Sequence, residues 1–208
     1  MTYAQIEAAA QAAGLAVFGG FHPETGGTLV LLGPAEPGFW QLITESLEYG
    51  DADAVDQWSL RVIGGLAEDL DASALFPFGG PPYQPFVSWA LASGRVWQSP
   101  VSLMVHDVAG LFLSFRGALA FDARIALPPT PDAPPCEGCA RPCLAACPAG
   151  ALTGDGYDLA ACHAFLDQPA GQNCMTQGCA VRRSCPTSQS YGRLPEQSAH
   201  HMRHFHKG

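Results

Sequence analysis

Eight cysteines are the residues of this chain best suited to chemistry. All lie between Cys136 and Cys185, and the first 135 of its 208 residues contain none. The first four form the run Cys136-Glu-Gly-Cys139-Ala-Arg-Pro-Cys143-Leu-Ala-Ala-Cys147-Pro148, four thiols within twelve residues. Folded as a tight loop running into a helix, that run brings its sulfurs into one small volume. A [4Fe–4S] cube takes four thiolates, and close spacing sets three of them on adjacent irons without long-range folding. The fourth cysteine of such a run, the one before proline, ligates the other cluster where two are present. Pro148 then turns the chain away. A second set, Cys162, Cys174, Cys179 and Cys185-Pro186, ends on the same Cys-Pro pair. The expectation is two cubes with crossed ligands: Cys136, Cys139, Cys143 and Cys185 on one, Cys147, Cys162, Cys174 and Cys179 on the other.

Other chemistries of the same thiols carry less weight. Two zinc sites are an alternative, since Cys-x2-Cys followed by distant cysteines suits tetrahedral zinc, but zinc ribbons present paired knuckles rather than four cysteines in one run. Disulfides belong to secreted chains. The start Met1-Thr-Tyr-Ala-Gln-Ile-Glu7 lacks the basic residues and apolar stretch of a signal peptide, so a reducing cytoplasm is the expected location. A thioredoxin-like role for Cys136-Glu-Gly-Cys139 requires a strand before the motif, and a proline-rich stretch stands there instead.

The elements that must position these thiols come from a chain with 48% apolar and 14% charged residues, a composition that builds a core. The predicted fold class is mixed α/β (α+β): an N-terminal α/β domain over 1–126, a proline-rich connector over 127–135, a small ferredoxin-like domain over 136–194, and a His-rich basic tail over 195–208. Within the first domain, helices are predicted over 3–13, 39–48, 54–70 and 85–93. The third has Trp58, Val62, Leu66 and Leu70 at four-residue spacing, Ile63 beside them, and Asp51 or Asp53 as its cap. Leu15–Phe18 and Thr28–Leu32 read as buried strands, and Ala74–Phe76 as a short strand. Val101–Val105 and Leu111–Phe115 read as a hairpin turning over Asp107–Gly110.

Charge and the remaining motifs exclude several function classes. The net charge of −9 argues against DNA binding, which wants a basic face. The charge is uneven, with −13 over residues 1–180 and +4 over 181–208, so the tail suits either an acidic surface or solvent. No run of eighteen apolar residues is present to span a membrane. The pairs Gly19-Gly20, Gly26-Gly27 and Gly64-Gly65 match no nucleotide-binding loop, and no hydrolase elbow occurs. His200 and His204 have helical metal-ligand spacing but no evident third ligand. His163 follows Cys162 and is a candidate to tune a cluster, with an ordinary helix histidine as the commoner role. Arg182 and Arg183, between two candidate ligands, suit either charge compensation or a solvated loop.

A resemblance rests on three stretches. Cys136–Leu152 resembles bacterial-type two-cluster ferredoxin domains. The segment Ala90-Leu-Ala-Ser-Gly94-Arg-Val-Trp97-Gln-Ser-Pro-Val-Ser-Leu-Met-Val-His106-Asp-Val-Ala-Gly110-Leu-Phe-Leu-Ser-Phe-Arg-Gly117 resembles the part preceding the cysteines in the epoxyqueuosine reductase family of cobalamin-dependent iron–sulfur enzymes, as does Cys162-His-Ala-Phe-Leu166. Together they cover roughly residues 85–190. The resemblance implies a cobalamin-binding α/β domain and a ferredoxin domain that feeds electrons to the corrinoid. The chain departs from that family in four places. Arg141-Pro142 lengthens the middle cysteine spacing by one, and the second cysteine set is looser. The Gly-Trp-Ile-Gly-Lys-Asn motif survives only as Trp97. The acidic residue before the helix at Pro85 is missing from Phe78-Gly-Gly-Pro-Pro-Tyr-Gln-Pro85. Without that proton donor, and without the family's C-terminal helical repeats, epoxyqueuosine reduction and tRNA binding are not expected.

Three functions follow as alternatives. One is an electron carrier with two [4Fe–4S] clusters and a partner redox protein. The second is a reductase, hence an oxidoreductase, with its own cobalamin or flavin against Trp97, His106 and Phe112; Phe115 is a further aromatic there, and core packing is the commoner role of such residues. The third is a non-redox protein with structural zinc.

Overall fold

The computed structural model describes residues 1–207, and it is mixed helix and strand with small antiparallel sheets. In chain order the elements are α1 (Tyr3–Ala12), β1 (Leu15–Phe21), β2 (Thr28–Pro34), α2 (Phe39–Thr44), α3 (Ala54–Asp69), β3 (Ser73–Leu75), α4 (Phe86–Ala92), β4 (Val96–Gln98), β5 (Met104–His106), β6 (Gly117–Phe121), a 3-10 turn at Pro142–Ala145, α5 (Leu159–Leu166), a second 3-10 turn at Pro169–Gly171, α6 (Gln172–Gln177), α7 (Ala180–Ser184), α8 (Pro186–Ser190) and α9 (Pro195–Lys207). The chain divides into two compact units. Met1–Arg95 and Ser114–Pro131 make the first; Val96–Leu113 and the segment from Asp132 onward make the second. The division therefore is not the linear one expected from composition, because Val96–Leu113 leaves the first unit and joins the cysteines.

The first unit is an antiparallel sheet in the order β1-β2-β6-β3. β2, the most apolar strand, is buried along its whole length, as expected of a strand with neighbours on both edges. α1 opens on a capping box: the Thr2 hydroxyl accepts from the Gln5 N–H while the Gln5 side chain accepts from the Thr2 N–H. In α3, Trp58 and Ile63 enter the core beside Phe39 and Ile43, while Val62, Leu66 and Leu70 pack at its margin. Asp53 occupies the N-cap position of α3, but its side chain makes no cap bond; its backbone carbonyl accepts from the Asp56 and Gln57 N–H groups instead. Asp56 in turn receives the buried Arg116 guanidinium at 3.1 Å.

Gly27 offers a test of this unit. Its φ of +77° lies in the left-handed region, and an added Cβ would run into the Phe121 carbonyl oxygen on β6. Gly27→Ala is therefore expected to cost about 3 kcal/mol, from backbone strain together with a clash against backbone that cannot swing aside. Urea unfolding read on the first unit's tryptophans checks it; a loss below about 0.5 kcal/mol, the usual range of surface changes, would contradict the geometry.

In the second unit the hairpin differs from expectation. β5 pairs with β4, Val96 facing His106 and Gln98 facing Met104. Leu111–Phe115 forms no strand. Beyond the turn, His106 and Gly110 exchange N–H···O bonds of 3.0 Å, and the polar backbone of Leu111 is then taken by distant side chains. Its N–H donates to Ser188 Oγ at 2.8 Å, and its carbonyl accepts from Arg182 at 2.6 Å. The proline-rich connector is exposed over 128–133 and half-buried at its ends, where Leu127 lies against Gly20 in the first unit and Pro135 borders a cavity in the second. The His-rich tail is helix α9, whose Gln197, Ser198 and Ala199 are buried; Gly208, its expected last residue, lies outside the described residues. Among the described residues, no helix is long and apolar enough to cross a membrane.

Candidate metal centre

The Cys136 run folds as two linked turns. Cys139 N–H reaches back to the Cys136 carbonyl at 3.4 Å, with Gly138 at φ +72° between them. Arg141, the residue that lengthens the spacing, adopts a left-handed backbone (φ +53°) and donates its N–H to Cys139 Sγ at 3.3 Å. The extra residue is thus absorbed in the turn, which delivers Cys143 on the 3-10 turn that follows. Cys185 arrives from the far end of the segment, at the junction of α7 and α8.

These four thiols border one cavity of about 320 Å³, which Ser99 and Val105 of the β4–β5 hairpin help to wall. The electrostatics carry the same grouping. Burial pushes the Cys136 thiol up, and the neighbouring Cys185, Cys143 and Cys139 push it further, with Arg141 opposing. Burial also raises Cys143, followed by Cys185, against N–H donors of Cys143 and Leu144 that favour its thiolate. Cys162, on α5, belongs to a different neighbourhood. Burial raises it, the Tyr157 hydroxyl donating at 3.4 Å lowers it, and Cys179, Cys147 and Cys174 raise it again. Cys136, Cys139, Cys143 and Cys185 thus share one cavity, and Cys162 has Cys179, Cys147 and Cys174 as neighbours, while Cys147 and Cys179 also pack on the core around Cys143 and Cys185. The chain turns after Cys147, where Gly150 N–H bonds its carbonyl at 3.1 Å, and leads through Tyr157 to α5.

Such crowding disfavours four thiolates unless positive charge enters among them. A cube of irons supplies it, and the donor set of four thiols around a cavity fits that group. A single zinc ion holds its sulfurs at about 2.3 Å and fills the space between them, so it needs no cavity. Among the described residues, no three His, Cys, Asp or Glu side chains converge closely enough to hold one ion. All eight cysteines are free thiols.

The other singled-out residues have different partners. Trp97 is half-buried opposite Val105 and packs on the core around Cys143 and Cys185. His106 is fully buried, and its Nδ1 accepts from the Val108 and Ala109 N–H groups at 3.1 Å, so it closes its own turn. Phe112 is buried with the Arg193 guanidinium 5.3 Å above its ring. None of the three borders the cavity. Phe115 packs on Phe18 and Phe86 in the first unit. Arg183 is held by the Gly178 carbonyl and Asn173.

His163 stacks on Phe205 and faces His206, Nδ1 to Nδ1, at 2.9 Å; His206 Nε2 donates to Asp167 at 2.9 Å. A carboxylate only accepts, so in a neutral His206 ring Nδ1 is the acceptor and His163 the donor. His204 Nδ1 donates to the His200 carbonyl, and burial followed by His204 and nearby arginines pushes His200 down to about 4, leaving it neutral at pH 7. Sequence reasoning missed Tyr157 and Ser99. No spacing rule marks a hydroxyl that reaches a sulfur or a cavity wall.

Compared with family models, with curated proteins and with solved structures, the chain matches none.

Proposed function

We propose that this chain is an iron–sulfur protein that binds two [4Fe–4S] clusters and passes electrons singly to a partner redox protein. The observation that carries the reading is the cavity bordered by Cys136, Cys139, Cys143 and Cys185. These four residues would hold the first cluster, and Cys147, Cys162, Cys174 and Cys179 the second. The clusters, when bound, supply one-electron redox chemistry. The chain's own residues do the rest. The N–H of Arg141 and the hydroxyl of Tyr157 are hydrogen-bond donors to ligand sulfur, which stabilise negative charge there. Val101, Val105, Leu111 and Leu152 exclude water from the inner side. Glu137, Gly138, Ala140 and Arg141 are exposed at the outer side, so an electron has a short path to a docked protein. The resemblance of Cys136–Leu152 to two-cluster ferredoxin domains agrees with this reading.

The test is anaerobic purification of the full chain with iron, acid-labile sulfide and zinc analysis, followed by electron paramagnetic resonance after reduction. The expected content is about eight irons and about eight sulfides per chain, from two four-iron cubes. Zinc in place of iron, with no labile sulfide, would overturn the proposal.

A further inference from the structure

We infer that Ser99 donates a hydrogen bond from its hydroxyl to the cluster held by Cys136, Cys139, Cys143 and Cys185, and so raises that cluster's reduction potential. The inference rests on the proposed cluster and goes beyond it by naming a residue that sets its redox properties. Three observations carry it. Ser99 borders the same cavity as the four thiols. It is 6% exposed, and its Oγ is buried with no hydrogen-bond partner. Its backbone is already committed, with the N–H donating to the Leu103 carbonyl at 2.8 Å and the carbonyl accepting from the Ser102 N–H at 3.0 Å. The hydroxyl therefore has no task in the turn that carries it.

A buried hydroxyl without a partner opposes folding, and native proteins rarely leave one so. Sulfur bearing negative charge is the acceptor this cavity offers once a cluster is in place. The turn is also rigid. Pro100 follows Ser99, Val101 is fully buried, and the flanking strands β4 and β5 are paired. A donor held still gains more from the extra negative charge of the reduced cluster than from the oxidised one. Reduction adds one electron to the cluster while the Ser99 proton stays on its oxygen, so the effect is a shift in potential and not a proton transfer.

The experiment is a redox titration of the anaerobically purified full chain, followed by paramagnetic resonance, for wild type, Ser99→Ala, and the near-isosteric pair Ser99→Thr and Ser99→Val. The first cluster's midpoint is expected to fall in Ser99→Ala and Ser99→Val and to stay near wild type in Ser99→Thr, with the second cluster unmoved. After exchange into deuterium oxide, the reduced first cluster in wild type should couple to one exchangeable deuteron besides that of the Arg141 N–H, and Ser99→Val should lose that one alone. If Ser99→Ala fails to load, the Thr and Val pair decides the matter alone. Equal midpoints for Thr and Val overturn the inference and leave the cluster assignment standing. Wild-type protein without iron and sulfide overturns both.

Discussion

Cys185→Ala is expected to abolish the first cluster and spare the second, halving iron and sulfide from about eight to about four of each per chain. Cys143→Ala should give the same residual spectrum, although the two residues are far apart in sequence. Cys147→Ala, close to Cys143 in the chain, should give the other spectrum and match Cys162→Ala. Cys136 and Cys143 feel Cys185, whereas Cys162 feels Cys147, Cys174 and Cys179. Between Cys143 and Cys147 the 3-10 turn ends, and the chain then bends away at Gly150 (φ +62°). An uncrossed assignment, with the first four cysteines on one cube, makes Cys147→Ala and Cys143→Ala twins. Spectra of the four variants side by side separate the two schemes, and identical Cys143 and Cys147 spectra would sink the crossed one.

The local part of this arrangement is legible in the sequence. The spacing of Cys136, Cys139 and Cys143 is a short-range feature, and these three thiols border one cavity, which Cys185 joins from far along the chain. In the first unit, α1, β1, β2 and α3 are legible for a similar reason: apolar runs broken by turn glycines such as Gly14, Gly26 and Gly27 need no knowledge of distant partners, although β1 runs on through Gly19 to Phe21. What is not legible depends on contacts across the chain. Leu111–Phe115 has the composition of a strand, yet Ser188 and Arg182, more than seventy residues on, take its backbone groups. The grouping of Val96–Leu113 with the cysteines is hidden likewise, because its partners follow an intervening stretch of the first unit. Asp53 has the right type for a side-chain cap, but its left-handed backbone (φ +57°) goes with a different start to α3. Ser99 looks like any serine in a turn until the cavity beside it is seen.

Removing the iron is expected to unfold the second unit while the first stays folded. Apart from α5 and α9, the regular elements of the second unit are short. Its hairpin is two strands of three residues, and α6, α7 and α8 are five or six residues long. Helices so short are unstable alone in water, and a lone two-stranded hairpin is marginal. Its core gathers Val101, Val105, Leu111, Leu152 and Val181 around Cys143 and Cys185, so two of the proposed ligands are themselves core residues. Cluster ligation would cross-link the loops between these elements, and metal-binding free energy then becomes folding free energy. For structural zinc in small domains that term is about 10–16 kcal/mol, as large as the whole stability of a typical domain at about 5–15 kcal/mol. The first unit has no such dependence, since its sheet and the core of Ile6, Phe39, Ile43, Trp58 and Leu119 contain no cysteine. Chelation under mild oxidation, followed by hydrogen exchange, should therefore erase protection in α5 and α9 and retain it in β2 and β6. Full protection of α5 and α9 in iron-free protein would show that side-chain packing alone holds the second unit, and would remove the link between its fold and its clusters.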